Sequence, residues 1–268
     1  ITPTPARNFP KTIMALQEEL EHQGLWLFRY RSTLPLVLLV VGFWVYMQGV
    51  YSGSDASLNS ECCITTSYRV YYEALCLLVS LAGLVIRIYT VGYTPANTSG
   101  RNTAEQVADT VNTTGIYSTV RHPLYLGNFF MWVGPALLSA NPWFILSFCL
   151  VYWLYYERIM FAEEQFLRGK FGEQYTQWAA RVPAFIPSLR NFQKPSLPFS
   201  VRKVLKKEKN GLAATFFIFS LFDVSREYAL GTHSYNTALH AATVLSILLY
   251  IILRYLKNNT RVLDEEGR

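Results

Sequence analysis

LYLGNFFMWVGPALLSANPWFILSFCLVYWLYYERIMF, residues 124–161, consists of two long apolar runs separated by Asn141-Pro142. Each run is close to the length that an α-helix needs to cross the hydrocarbon core of a bilayer. The Asn-Pro pair is a turn signal. The segment therefore predicts a helical hairpin that crosses a membrane twice, over Leu124–Ala140 and Trp143–Phe161.

Further apolar segments on both sides of this hairpin extend the pattern. Only 16% of the 268 residues are charged, against about a quarter in ordinary soluble domains. We predict an all-α, polytopic transmembrane helix bundle of about six spans, in three parts: an interfacial segment (residues 1–33), a membrane core (34–190), and a basic linker with two more spans (191–268). The four additional spans are Leu34–Val50, Tyr72–Val91, Leu212–Leu230 and Ala238–Leu256.

The positive charge is concentrated beside the apolar segments, which makes it a signal of orientation. Residues 157–210 hold eleven of the 24 Lys and Arg residues, whereas the loop 231–237 holds none. Cytoplasmic loops carry such an excess, and basic clusters there attract anionic lipids. The net charge of +6 therefore predicts cytoplasmic termini and a cytoplasmic 157–210 segment in contact with membrane lipids, and not a nucleic-acid partner.

The cysteines predict no metal site. Cys62, Cys63, Cys76 and Cys149 include no CxxC spacing, and no nearby His completes a ligand set. Cys76 and Cys149 lie within apolar runs, where packing is their expected role. The oxidation state of the vicinal pair, in a predicted external loop, stays open.

Several other polar positions have simple structural interpretations. Asp223, Arg226 and Glu227 are spaced as helical neighbours and are predicted to neutralise one another. Arg87, near the inner end of the second span, either extends towards the headgroups or faces a bound cofactor. Residues 11–23 place Ile13, Leu16 and Leu20 on one helical face, which fits a helix on the membrane surface or one packed on the rest of the protein.

Arg121-His122-Pro123-Leu124-Tyr125-Leu126-Gly127-Asn128 is the first of two motifs that predict chemistry. Proline is tolerated in the first turn of a helix, so Arg121 and His122 should lie at the N-terminal end of the third span. Free backbone N–H groups at that end would favour an anionic ligand group. Gly127 permits the close approach of a ligand or of another helix. The simpler alternative is that Arg121 and His122 are interfacial anchors.

The second motif begins with Glu163-Glu164 at the end of the fourth span and continues through Leu167, Phe171-Gly172 and Tyr175. Glu164 can pair with Arg168 on a solvated helical face. Two adjacent carboxylates beside a membrane nevertheless need a reason, because ionisable groups there are costly. A cationic or hydrogen-bond-donating ligand would supply one.

Together the motifs resemble the pattern R-H-P-x-Y-x-G, then E-E-x-x-L-x-x-x-F-G-x-x-Y, then V-P, of the isoprenylcysteine carboxyl methyltransferase and phospholipid methyltransferase family. The match runs from Gly115 to Pro187. The resemblance implies an integral membrane methyltransferase that uses S-adenosylmethionine from the cytoplasmic side. It implies that the cofactor is bound by Tyr117, Val120, Arg121, His122, Pro123, Tyr125, Leu126, Gly127, Asn128, Glu163, Glu164 and Tyr175.

The resemblance is incomplete at one position. Prenylcysteine enzymes of this family have an Arg four residues before the first Glu of the pair, and this chain has Ile159 there. Arg158 is adjacent but points about 100° away on a regular helix. Either the helix is irregular, or the acceptor is not a prenylcysteine carboxylate. The candidate catalytic residues are thus His122, Glu163 and Arg158.

Three classes of function are compatible with these observations. The first is methylation of a prenylated or lipid-like acceptor from the bilayer, at a carboxyl oxygen or a lipid amine. The second is an NADPH-dependent membrane reductase of the sterol-reductase type, which resembles the first motif but differs at the Glu pair. The third is a non-enzymatic lipid-binding protein. The Glu pair favours the methyltransferase.

Overall fold

The computed structural model describes residues 16–31, 33–52, 63–96, 108–265 and 267. The predictions that concern Ile13 and Cys62 lie outside these ranges. The described part of the chain is built from α-helices joined by turns, and the all-α fold class is confirmed. The helices are α1 (Leu16–Arg29), α2 (Thr33–Ser52), α3 (Cys63–Tyr93), α4 (Pro123–Leu138), α5 (Pro142–Phe171), α6 (Glu173–Ala179), α7 (Val201–Leu230) and α8 (Thr237–Asn259).

Each of the six predicted spans corresponds to a helix. Among the described residues, four helical segments are long and apolar enough to cross a membrane: α2, residues Tyr68–Tyr93 of α3, α5 and α8. α4 is apolar but has 16 residues, and α7 carries charged residues along its length. About six spans is therefore consistent with the helices observed, and most helices extend beyond the predicted apolar runs.

The predicted hairpin of α4 and α5 is present, and local sequence explains where it turns. The side-chain oxygen of Asn141 accepts hydrogen bonds from the backbone N–H groups of Trp143 and Phe144, both at 3.0 Å. Such an N-terminal cap satisfies donors that the first helical turn leaves unpaired. Pro142 follows in the first turn, where a missing N–H costs nothing. α5 ends at Gly172, whose φ of +55° favours glycine.

α3 and α4 lie against each other through small residues. A Cβ added to Gly83 would lie 2.4 Å from the carbonyl oxygen of Gly127, and one added to Gly134 would lie 2.0 Å from Oγ of Ser80. Real Cβ contacts are never this short, so larger side chains would force the helices apart. Small residues let helix backbones approach closely where apolar lipid provides little driving force for association.

α1 packs along α5 rather than standing alone. Gly24 and Phe28 are its buried residues, and Gly24 lies against the backbone carbonyl of Arg158. Leu16, one of the two leucines on the predicted membrane-facing side, is 70% exposed. The helix therefore packs on α5 through Gly24 and Phe28 and leaves the Leu16 side exposed.

The ends of α3 and α7 remote from the two motifs, together with the start of α8, carry a group of buried and half-buried charged residues. We call it the distal cluster: Arg69, Glu73, Asp223, Arg226, Glu227 and His240. Glu227 pairs with Arg226 at 2.8 Å and with Arg69 at 3.1 Å. Asp223 instead pairs with His240 at 2.9 Å. The prediction that Arg226 and Glu227 neutralise each other is confirmed, but Asp223 finds its partner on α8 rather than on its own helix.

Candidate functional site

A cavity of about 720 Å³ lies between α2, α3, α4, α5, α6 and α7. Its charged and polar lining includes Arg31, Arg87, Arg121, His122, Asn128, Glu163 and Glu208. Its apolar lining includes Leu36, Met131, Trp132, Pro135, Ala214 and Ile218. The apolar residues lie further along α4 and α7 than the charged ones. One continuous space therefore offers a polar compartment and an apolar compartment.

The two sequence motifs meet at the polar compartment through an ion cluster. Oε2 of Glu164 accepts a hydrogen bond from Nη1 of Arg121 at 2.7 Å, and Oε1 lies 2.9 Å from Nε2 of His122. Glu163 Oε2 lies 3.8 Å from the other ring nitrogen of His122. Glu164 thus pairs with the first motif from a largely buried position, and Arg168, the alternative partner on a solvated face, acts on it only as a nearby charge.

The chain after α6 returns to hold the first motif by its backbone. The N–H of Arg121 donates to the carbonyl of Pro183 at 2.9 Å, and the N–H of His122 donates to that of Ala184 at 3.2 Å. These two N–H groups are therefore not available to a ligand, and any anion at this helix end would have to be bound by donors of the first turn itself. A backbone donor next to a partly buried segment needs an acceptor, and the Val182-Pro183 segment supplies it.

The entry to the motif is fixed by a second set of contacts with the same returning segment. Gly115 adopts a φ of +63°, a conformation that favours glycine, and its N–H donates to the carbonyl of Gln193 at 3.0 Å. The Gln193 N–H in turn donates to Oγ of Ser118 at 2.9 Å. These bonds set where the 3₁₀ turn Ile116–Ser118 lies, and with it the side chain of Tyr117, which lines the cavity.

Buried polar atoms without a hydrogen-bond partner mark this site. Within the described residues there are four of them: Nε of Arg121, Oε2 of Glu163, the hydroxyl of Tyr175 and Nε1 of Trp178. All four residues line the cavity. Buried polar groups are normally paired, so each exception needs an explanation. Three donors and one carboxylate acceptor around one space form a set that suits a polar ligand carrying both donors and acceptors.

The two phenols at the site remain protonated over the physiological range. Burial, followed by the nearby charge of Glu163, raises the pKa of Tyr117 well above its ordinary value. Burial, followed by the charge of Glu164, raises the pKa of Tyr175 in the same direction. Both hydroxyls therefore retain a proton that can be donated.

The other predicted cofactor residues fall into two groups. Pro123, Tyr125 and Asn128 line the cavity, and Asn128 accepts a hydrogen bond from Arg87 at 2.6 Å. Val120 and Leu126 are buried but do not line the cavity. Gly127 faces α3, where an added Cβ would lie 2.6 Å from Cγ of Arg87. Of the two alternatives for Gly127, the close approach is to a helix.

Arg158 lies outside the cavity, so the structure gives its predicted catalytic role no support. Its Nε donates to Oε1 of Gln23 at 3.0 Å and its Nη1 to the carbonyl of Leu154 at 2.8 Å, which ties α5 to α1. Ile159 is completely buried. Because α5 is one continuous helix through this region, no irregularity turns Arg158 towards the site.

Arg31, Glu208 and Trp178 are among the lining residues that were not predicted from the sequence. Arg87, for which two alternatives were open, faces the cavity, where its guanidinium donates twice to Glu208, each bond at 2.8 Å. Glu208 is 4% exposed. Its partner comes from α3, far away in sequence, so only the fold could pair them. Trp178 lies just after the second motif, and no sequence pattern identified it as a binding residue.

These features define a class: a polytopic helical membrane protein with a cavity, polar at the junction of two motifs and apolar beyond it, that is a candidate ligand site. Comparison with known proteins agrees, since residues 73–174 match the phospholipid methyltransferase family model. The resemblance drawn from the two motifs is thereby confirmed. The matched residues include α4, α5 and the greater part of α3, but neither α2 nor α7, which complete the cavity.

Curated relatives agree over the same part of the chain. The chain is 42% identical to protein-S-isoprenylcysteine O-methyltransferase B of Arabidopsis thaliana over 28% of its own length, and the matched region covers 38% of that protein. It is 29% identical over 44% of its length to protein-S-isoprenylcysteine O-methyltransferase of Tribolium castaneum, covering 42% of that protein. The chain thus spans less than half of the length of these relatives. No solved structure matches it.

Proposed function

We propose that this protein is an integral membrane methyltransferase that uses S-adenosylmethionine and acts on a prenylated or lipid-like acceptor. The four buried polar atoms without a partner, grouped around a single cavity, are the observation that carries this proposal. Polar atoms that lack hydrogen-bond partners inside a cavity suit a polar cofactor that can pair with them. The similarity to phospholipid methyltransferases and isoprenylcysteine methyltransferases supports the same class of reaction.

The residues of the polar compartment fit the chemical groups of S-adenosylmethionine. The free carboxylate oxygen of Glu163 suits an amino group or ribose hydroxyls, both of which donate. Nε of Arg121 and Nε1 of Trp178 suit the carboxylate of the methionine part or other acceptors. When bound, the cofactor supplies a methyl group on a sulfonium, and the polar wall orients it and excludes water.

The apolar compartment suits the acceptor. Leu36, Met131, Trp132, Pro135 and Ile218 line the part of the cavity that lies deeper along the spanning helices. An acceptor with an apolar chain gains about 25 cal/mol for each Å² of apolar surface that leaves water. Because both compartments belong to one space, the reactive end of such an acceptor can meet the cofactor.

Ligand-induced stabilisation of the purified protein tests the proposal. A ligand that binds only the folded state raises its apparent stability by mass action. We expect the midpoint of thermal unfolding in detergent to rise with S-adenosylmethionine and to be unaffected by NADPH. A rise with NADPH alone would support the reductase alternative. No rise with either would support the non-enzymatic lipid-binding protein.

We also propose that the polar compartment opens on the cytoplasmic side, with both termini on that side. The eleven basic residues of 157–210 support this orientation. Cysteines introduced at Lys194 and Ser234, one at a time in a Cys-free background, would test it. Both positions are exposed. The Lys194 site should react with a membrane-impermeant reagent only from the inside and the Ser234 site only from the outside, and a reversed result rejects the orientation.

A further inference from the structure

We propose that residues 182–194, which we call the return segment, bind anionic lipids of the bilayer on the side of the membrane where the two motifs lie. The segment follows α6 and contains no apolar run long enough to span a membrane. Among the residues that the structure describes, those of the segment do not line the cavity. The inference therefore concerns a second surface, and it narrows the lipid contact predicted for residues 157–210 to one segment.

The return segment carries large apolar side chains that the protein leaves uncovered. Ile186 and Leu189 are each 78% exposed, and Phe192 is 49% exposed. The backbone between them is nevertheless held in place, because the N–H of Ser188 donates to the carbonyl of Thr119 at 2.9 Å. Exposed apolar side chains grouped on an ordered backbone mark an interaction surface.

Phe185 shows the depth at which the segment lies. Its ring packs edge-on against Phe129 of α4 and Trp153 of α5, with ring centroids 6.1 and 5.2 Å away. At a rise of 1.5 Å per residue, Phe129 lies about 9 Å along α4 from Pro123, and Trp153 lies about 12 Å before Phe161 on α5. Trp153 is 42% exposed, so this contact is on the outer surface of the hairpin. Interfacial elements bury their apolar side chains to about 5–10 Å, which is a similar depth.

The backbone of the segment has partners that permit this position. Irregular backbone is tolerated at membrane depth only where its polar groups are paired within the protein. The carbonyls of Pro183 and Ala184 accept the hydrogen bonds from Arg121 and His122, and neither Pro183 nor Pro187 has an N–H group that needs an acceptor. The backbone therefore lies against the first motif while the apolar side chains extend into the lipid.

Charge selects the kind of lipid. Residues 174–207 contain seven Lys and Arg residues and no Asp or Glu. Within the return segment, Arg190 and Lys194 are exposed, and their charged ends reach the headgroups and water. Apolar side chains interspersed with basic ones bind anionic lipids in preference to zwitterionic ones. A partner dissolved in water cannot reach apolar side chains at the depth of Phe185, so lipid is the occupant that fits both observations.

The first test measures where the apolar side chains lie. Single cysteines replace Ile186 or Leu189 in a Cys-free background, carry a fluorophore, and are studied in the full chain in nanodiscs of equimolar phosphatidylcholine and phosphatidylserine. We expect strong quenching by lipids with a doxyl group on the acyl chain and weak quenching by a membrane-impermeant, water-soluble nitroxide. The control is Gln174, an exposed position on α6, where the two quenchers should have the opposite effect.

The second test measures the preference for lipid charge with the fluorophore at position 186. Doxyl-labelled phosphatidylserine and doxyl-labelled phosphatidylcholine are compared at equal mole fraction, which gives their relative association constant. We expect phosphatidylserine to be preferred by about fivefold or more, since each basic side chain near an anionic surface contributes a factor of about this size.

A matched pair of variants separates local charge from net charge. Arg190→Gln combined with Lys194→Gln should bring the relative association constant close to one. Lys257→Gln combined with Arg261→Gln removes the same charge from exposed positions at and beyond the end of α8, and it should leave the preference unchanged.

The other outcomes overturn the inference. If the water-soluble quencher reaches positions 186 and 189 as readily as position 174, the segment lies in water. If neither quencher reaches them, another protein surface covers the segment. Equal quenching by the two lipids, or an equal loss of preference in both double variants, shows that Arg190 and Lys194 do not select anionic lipid. None of these measurements uses S-adenosylmethionine, so a failure of the proposed function would leave their results unchanged.

Discussion

The motif site and the distal cluster are both buried groups of charged residues in one helix bundle, yet they differ in how completely their polar atoms are paired. In the distal cluster, Glu227 alone binds Arg69, Arg226 and the backbone N–H of Ser234. At the motif site, four residues of the described chain retain a buried polar atom without a partner, and these residues face a cavity. Both regions contain buried charged groups. Among the described residues, only the motif site also contains buried polar atoms without a hydrogen-bond partner.

The difference indicates what each region does. A buried ion pair whose members are fully hydrogen-bonded can hold helices in register but offers nothing to a ligand. Buried hydrogen-bond donors and acceptors without partners around a cavity lower the stability of the folded protein until a ligand binds there and pairs with them. We therefore expect changes in the distal cluster to alter folding, and changes at the motif site to alter binding.

The largest effect is expected from Glu227→Gln in the distal cluster. Removing one partner of a buried ion pair leaves an uncompensated charge and costs about 3–5 kcal/mol of unfolding free energy. Unfolding by SDS in mixed micelles measures this loss, and isothermal titration should find unchanged affinity for S-adenosylmethionine in the folded fraction. Weakened cofactor binding at full stability would erase the contrast between the two regions.

Glu163→Gln at the motif site should have the opposite profile. Loss of one charge-assisted hydrogen bond costs about 1.5–3 kcal/mol, so affinity for S-adenosylmethionine should fall by about tenfold to a hundredfold, with little change in unfolding. Glu157→Gln is the matched control, because it makes the same change on the same helix at an exposed position. If both variants weakened the affinity for S-adenosylmethionine equally, the cofactor would not bind at the face of α5 that carries Glu163.

Gly127→Ala decides between a helix contact and a cofactor contact at that position. The added methyl group would collide with Arg87 and the Gly83 carbonyl, and overpacking of this kind typically costs about 1–3 kcal/mol. Gly169→Ala is the control, since nothing lies within 4 Å of its added Cβ. Thermal unfolding of both variants gives the comparison. A loss of cofactor affinity without a loss of stability would indicate that Gly127 contacts the cofactor and not only α3.

Arg158→Ala should have the smallest effect. The residue makes hydrogen bonds to Gln23 and to a backbone carbonyl, at a partly exposed position between α5 and α1. Its removal should cost about 1 kcal/mol or less and leave both cofactor affinity and turnover unchanged. A large fall in turnover would restore the catalytic role that its sequence position suggested.

The sequence was sufficient to predict those elements whose signal is local. The apolar runs, the Asn141-Pro142 turn and the start of a helix at Pro123 each depend on residues within one turn or one helix, and all appear where they were expected. The contact between Glu164 and Arg121 was not predicted, because Arg168 offered a plausible partner nearer in sequence. The spacing along one helix cannot show that a second motif competes for the same carboxylate.

The cavity wall could be predicted only in part for the same reason. Arg31 and Glu208 belong to elements outside the matched segment, and neither forms a pattern with its sequence neighbours. Their place in the wall follows from how α2 and α7 pack against the motif helices. Composition and periodicity identify which helices form, whereas the pairing of helices is a property of the assembled bundle.

The hydrogen bonds from Arg121 and His122 to the segment after α6 also set an order of events during synthesis. The first motif leaves the ribosome before Pro183 and Ala184, so its two backbone donors have no protein acceptor until that later segment has also emerged. The site becomes complete only after the chain beyond α6 folds back. Nascent chains arrested before that point should insert the hairpin normally yet retain no cofactor.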